Sequence, residues 1–315
     1  MGNEEKNSTG YEFVQAAEDF NRARNRAFLS RLQNFMNSKK DDLLSFYDVK
    51  NILKPTNQVY LGMQVVPVKL ILGSEGRYRD FNKYFLPRSE FLRARWERVD
   101  RAQIKDVALP AIQLYEIGGA YFVRDGNHRV SVAKSQGIEL IDAEVISLSS
   151  EISITPSMTQ EDLIIAVIEY EKKIFYEKTN FEALTGDKNL NFTSPGCYDK
   201  VYQHIMEHKY FLNEKSSEEI PFPDALVSWY KEVYEPIIKI INEEKLCRNF
   251  SGRSPSDLYV WIVRHWDFLK KKNGVHYSVS NAARNFTLRY GSRKSFFHSL
   301  GILLGKIFKT QAVLL

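Results

Sequence analysis

Five consecutive residues, Asp125-Gly126-Asn127-His128-Arg129, bring together an acid, a glycine, an amide, an imidazole and a guanidinium. A guanidinium on the first turn of a helix suits bidentate phosphate binding, which makes Arg129 the main candidate ligand. His128 could donate to a phosphate oxygen or act as a general acid or base. Asp125 could hold a divalent cation, directly or through water. Each residue also has a purely structural reading. Asp125 could cap the helix beginning near Asn127. His128 could be satisfied inside the domain, and Arg129 could pair with Asp125 or Asp142. Gly126 serves backbone geometry under either reading.

The flanking sequence places these residues at a strand end. The apolar run Ala120 to Val123 reads as a strand, and Asp125-Gly126 ends it with a tight turn. Val130, Val132 and Ala133 follow at helical spacing, and Gly137 sits where a helix C-terminus favours positive φ. Ile138 to Val145 reads as the next strand. Upstream, Ile112 to Ile117, Gly118-Gly119 and Ala120 to Val123 spell a hairpin with a two-residue turn. The five residues thus open a short helix, where unpaired N–H groups and the positive dipole end make an anion seat. A second contact could come from the loop Gly73 to Arg79, through Arg77 and Arg79.

A strand, Asp125-Gly126-Asn127-His128-Arg129 and a short helix, after a hairpin, resemble the phosphate-binding motif of the ParB/sulfiredoxin-like superfamily. The resemblance runs from about Val65 to Val145. It implies an α+β protein whose small mixed-sheet domain binds a nucleoside triphosphate, ATP or CTP, with Mg²⁺. Gly126, Asn127, His128, Arg129, Arg77 and Arg79 would contact it, and Asp125 would hold the metal. The role would be regulatory. DNA is a further partner it admits, as is a second copy of the chain. Sulfiredoxin needs a cysteine where Asn127 stands, so that chemistry is excluded. ParB carries Glu-Arg-Arg where this chain has Asn-His-Arg, so CTP specificity does not carry over. Two other functions stay open: a DNA-binding transcriptional or partitioning regulator, and a phosphotransferase or NTP hydrolase. The latter needs a base, from Glu75, Asp125 or His128.

Around this domain (59–150) the sequence places an N-terminal helical arm (1–58) and an all-helical C-terminal domain (151–315). Residues 1–10 read as disordered. Phe13, Ala17, Phe20, Ala27, Phe28, Leu32 and Phe35 form the stripe of a helix from Tyr11 to Met36, with Arg24 and Arg31 inside it. A second helix spans Asp41 to Leu53, before Pro55. Val65 to Leu72 reads as the first strand, with Pro67 near an edge. Pro87 to Gln103 reads as a basic helix capped by Ser89, with Leu92 and Trp96 inward and acids interleaved among its arginines.

The C-terminal helices are read from Ser157 to Lys178, Tyr198 to Tyr210, Asp224 to Leu246 with a break at Pro236, and Asp257 to Lys271 capped by Ser254 or Ser256. His204 and His208 have zinc-compatible helical spacing but lack a third ligand. Ser278 to Phe286 resembles the small-residue start of a DNA-reading helix, and Ala282-Ala283 at a tight crossing explains it as well. Ser295 to Leu315 is an apolar tail with Lys306 and Lys309 inside it; its run Leu300 to Leu304 is too short to span a bilayer, and the tail is best read as a docked helix. The 315 residues are 43% hydrophobic and 26% charged with net charge +5, which permits phosphorylated partners and demands none. Two distant cysteines imply free thiols, and a polar N-terminus implies a cytoplasmic protein.

Overall fold

The computed structural model describes residues 4–36, 42–273 and 279–290. They form two compact units, Met1–Val167 and Ile168–Leu315. The fold class is α+β: one six-stranded mixed sheet in the first unit, and helices alone among the described residues of the second.

The first unit begins with helix α1 (Glu4–Met36), so residues 4–10 are helical rather than disordered. Residues 1–3 lie outside the described set. Strand β1 (Leu44–Ser45) and helix α2 (Phe46–Leu53) follow. The expected helix from Asp41 therefore starts later; Asp41 itself is outside the described residues. Ser45 caps α2 through the Asp48 amide, at 3.4 Å, and Lys54 ends it in a left-handed conformation before Pro55. The strand expected over Val65 to Leu72 is two strands, β2 (Gln58–Pro67) and β3 (Ile71–Ser74), separated by a 3₁₀ turn at Val68–Leu70. Pro67 has no N–H for a ladder, and the chain leaves the sheet there.

Next come α3 (Arg93–Ile104), β4 (Ile112–Ile117), β5 (Ala120–Asp125), α4 (Asn127–Gln136) and β6 (Leu140–Leu148). The sheet order is β1-β3-β5-β4-β6-β2. Strands β1, β3 and β5 are mutually parallel, and β4 runs antiparallel to β5. The Gly118-Gly119 turn has positive φ at both residues, 60° and 81°, which matches the twist of a two-residue hairpin.

Core residues cover both sheet faces. Ile71, Leu114, Val123 and Val145 pack with Val130 of α4. On the other face Phe46 and Val49 of α2 meet Phe122, Ile117 and Leu148. A third cluster joins α1, α3 and α4 through Phe20, Ala23, Ala27, Leu92, Trp96 and Val132. Each fully buried aliphatic side chain is worth about 1.5–3 kcal/mol.

The stripe expected on α1 is rotated. Ala16, Phe20, Ala23 and Ala27 are buried, whereas Phe13, Phe28 and Leu32 are exposed. Small alanines allow the close helix approach, and the larger residues are left outside. Phe35 lies outside the described side chains. Arg24 pairs with Glu90, and Arg31 is exposed. Ser89 precedes a 3₁₀ turn (Glu90–Leu92) without a side-chain cap. Arg93 pairs with Glu90 and Glu97 as expected, whereas Asp100 is fully buried and accepts from Gln136.

Helix α5 (Gln160–Thr179) starts on Thr159, whose hydroxyl and backbone N–H exchange bonds with Asp162. In the second unit follow α6 (Phe181–Thr185), α7 (Cys197–Asn213), α8 (Phe222–Trp229), α9 (Glu235–Glu243), α10 (Pro255–Asn273) and α11 (Val279–Tyr290). The break at Pro236 appears as a π-turn, Tyr230–Tyr234, between α8 and α9. Pro236 cannot donate to the carbonyl four residues back, and the widened turn absorbs the missing bond. The extra residue shifts the helix phase and brings Tyr234 into the core. Phe268 and Ile174 are exposed on their helices. Ser278 and Ser295 to Leu315 lie outside the described residues.

Candidate functional site

Parallel β1, β3 and β5 all end on the same side of the sheet. Loops following neighbouring parallel strands gather there, the usual place for a ligand on an α/β sheet. The loop after β3 is pinned to β5: the Glu75 N–H donates to Val123 O at 2.9 Å and the Ser74 hydroxyl to the same carbonyl at 3.2 Å. Ser74 Oγ then accepts from the Arg77 N–H at 3.3 Å. Arg77 is thereby held beside the turn after β5.

That turn is built around Gly126, with φ 105°. A Cβ there would sit 2.5 Å from Ile112 Cγ2, so glycine is required on both counts. Gly126 occupies the N-cap position of α4, and no side chain caps it. Asp125 does not play the capping role open to it. Its carboxylate accepts from Arg129 Nη2 at 2.6 Å. Arg129 also donates to the carbonyls of Pro110 and Ala111. The guanidinium expected to meet phosphate is occupied as a clamp between the turn and the start of β4.

His128 is buried and edge-on to Phe81. Arg77 Nη1 donates to its Nε2 at 3.1 Å. A guanidinium can only donate, so Nε2 accepts and the neutral ring carries its proton on Nδ1. Nδ1 is buried with no partner, and so is Asn127 Oδ1. Burial first, then the charges of Arg77 and Arg95, lower the His128 pKa to about 4, so the ring is neutral at pH 7. Arg95 of α3 is thus near enough to act on this site. The basic composition of α3 was legible, but nothing in the sequence marked this arginine among its neighbours. Arg79 stacks on Tyr78 and is exposed, so it is not brought into the turn. Glu75 accepts from the Tyr47 hydroxyl at 2.8 Å.

Helix α4 is anchored elsewhere. The Trp96 indole N–H donates to Ser131 Oγ at 2.8 Å in the core. Gln136 donates to Asp100, a fully buried carboxyl whose pKa rises to about 7 through burial and the neighbouring Asp19.

Among the described residues no group of three or more His, Cys, Asp or Glu could hold a metal ion. His204 is bonded to the Tyr259 hydroxyl at 3.2 Å and His208 to Ser228 at 2.9 Å, so the spaced pair serves packing. Ala282 and Ala283 are fully buried, which supports the tight-crossing explanation of α11. Cys197 and Cys247 are free. No described helix is long and apolar enough to cross a membrane.

No family model matches the chain, and no curated protein matches it. Two solved structures of a pNOB8-like ParB N-domain are similar to it. One is 12% identical over 80% of this chain and 99% of the other, with a TM-score of 0.19. The second is 13% identical over 75% and 87%, with a TM-score of 0.21. Superpositions this loose carry no argument about fold or function.

Proposed function

We propose that this protein binds the phosphates of a nucleoside triphosphate at the turn 125–129. The observation behind this reading is the start of α4. It is uncapped, Arg77 lies beside it, and two buried polar atoms there have no partner. An unsatisfied buried polar group costs about 1–3 kcal/mol, and such groups are retained where a site uses them. The first-turn N–H groups and Arg77 would hold phosphate. Arg129 would position the turn. His128 Nδ1–H is a donor closed to solvent, so a phosphate oxygen reaches it only if the turn shifts, while Asn127 Oδ1 is an acceptor and offers a phosphate oxygen nothing. Asp125 keeps an exposed carboxylate, and one acid plus phosphate oxygens is an ordinary Mg²⁺ environment.

Binding fits better than transfer, because a histidine with a pKa near 4 is a weak base at neutral pH. The test is thermal stabilisation by ATP, ADP, CTP and GTP, with and without Mg²⁺. Arg77→Ala is the informative variant, since Arg129→Ala would also break the turn. A shift with one nucleotide that weakens roughly 10- to 100-fold in apparent affinity in Arg77→Ala is expected. No shift with any nucleotide at millimolar concentration would refute the reading.

A further inference from the structure

Helix α1 turns its small residues to the core and several large ones to water. Phe20, Ala23 and Ala27 pack with Trp96 of α3. On the opposite side Tyr11, Val14, Phe28 and Leu32 are between 47% and 67% exposed. Glu18, Asn21 and Asn25, also exposed, continue the same line, so the seven positions advance by alternating steps of three and four. That spacing is the seam of a two-helix coil, whose apolar residues leave water only against a second helix. Phe13 is not part of the seam, because the Arg101 guanidinium covers its ring at 4.2 Å.

The charges of α1 select the partner and its direction. Between Tyr11 and Leu32 the acids Glu12, Glu18 and Asp19 all precede Phe20, and Arg22, Arg24, Arg26 and Arg31 all follow it. Two copies laid antiparallel set the acidic half of each on the basic half of the other. Val14 and Phe28 both lie seven residues from Asn21, and Tyr11 and Leu32 lie ten and eleven from it. A two-fold axis at Asn21 therefore also brings Tyr11 and Val14 of one copy to Phe28 and Leu32 of the other. A parallel pair would press Glu18 against its own copy in the seam. We propose that α1 is a dimerisation helix, on which two copies of this chain pair antiparallel and cross at Asn21. The seam is about 32 Å long at 1.5 Å per residue. Its polar centre weakens the pair and fixes the register, as a polar seam position does in coiled coils.

Sedimentation equilibrium of the full chain, from about 1 to 200 μM, tests the assembly. An interface this small should dissociate at roughly 1–100 μM. Val14→Ser and Phe28→Ser both alter exposed positions, and each acts twice in a symmetric pair. Each should weaken the dimer about ten-fold or more. Disulfide trapping reads the direction, with the wild type under the same oxidant giving the background from Cys197 and Cys247. Asn21→Cys should link to itself. Tyr11→Cys should link only when mixed with Leu32→Cys. A chain that stays monomeric throughout the concentration range would overturn the proposal. So would a dimer indifferent to Phe28→Ser, or a Tyr11→Cys variant that links to itself.

Discussion

Helix α10 starts on a reciprocal cap, whereas α4 starts on none. Ser254 and Asp257 exchange backbone bonds at 2.9 and 3.0 Å, and Asp257 also accepts from the Thr193 N–H and hydroxyl. Helix α7 lies between these extremes. It opens, like α4, on a left-handed glycine, but the Glu171 carboxylate accepts from the Gly196 N–H. The chain thus supplies its own acceptor at two helix starts and leaves the third without one. A bare N-terminus costs little in water. It costs more beside buried, unpartnered Asn127 and His128 atoms. That contrast gives α10 a stabilising cap and leaves at α4 the open helix start on which the proposed phosphate reading rests.

The contrast can be broken most forcefully at Asp257. Asp257→Ala leaves three donors unmet, the Ser254 N–H and the Thr193 N–H and hydroxyl, and should destabilise the chain by about 3 kcal/mol in urea unfolding. A loss below about 1 kcal/mol would erase the difference between the two helix starts. Gly126→Ala adds a clash with Ile112 to a strained φ and should cost about 2 kcal/mol, together with any nucleotide-induced thermal shift. Gly137→Ala shares only the positive φ, in open space, and should cost about half as much.

The pH dependence is smaller. His128 has its folded pKa below the unfolded value, so its contribution is complete above pH 6.5 and is lost as pH falls towards about 4. Asp100 has its folded pKa above the unfolded value, so its contribution is complete below about 3.8 and is lost as pH rises towards 7. The two slopes oppose each other between pH 4 and 6.5. His128→Gln should leave stability falling with pH across that window, and Asp100→Asn should leave it rising. Each change is about 1–2 kcal/mol after screening. Least of all, Arg77→Ala should cost about 1 kcal/mol of ligand-free stability, because the half-exposed guanidinium contributes little itself but is the donor to buried His128 Nε2.

The hairpin, the turn at Gly126, α4 and its end at Gly137 were all legible, because each is dictated by local glycine geometry and side-chain spacing. Trp96 and Leu92 were legible for the same reason. The α1 face was not: alanine carries little hydropathy, and only packing on α3 reveals that Ala16, Ala23 and Ala27 turn inward while Phe28 does not. Two-residue β1 has no local signal and exists through its partner β3. The structure brings Arg77 beside the turn 125–129 and leaves Arg79 outside it, and the contacts each residue makes were hidden. Arg129 finds the Pro110 and Ala111 carbonyls, and Arg77 reaches His128, only because distant segments meet.

Strand β2 has one partner, β6, and even its nearest pair, Pro67 with Leu140, is separated by everything from β3 to α4. During synthesis β2 emerges long before β6 exists. It contains no charged residue and leaves Val59, Leu61, Met63 and Val65 about half exposed or more even when paired. Closing so long a loop is slow, and an unpaired apolar strand is a template for another nascent chain in the meantime. The bulge between Tyr60 and Gly62 is the one irregularity that twists this edge away from such pairing. Yield on refolding should therefore depend on protein concentration far more than final stability does.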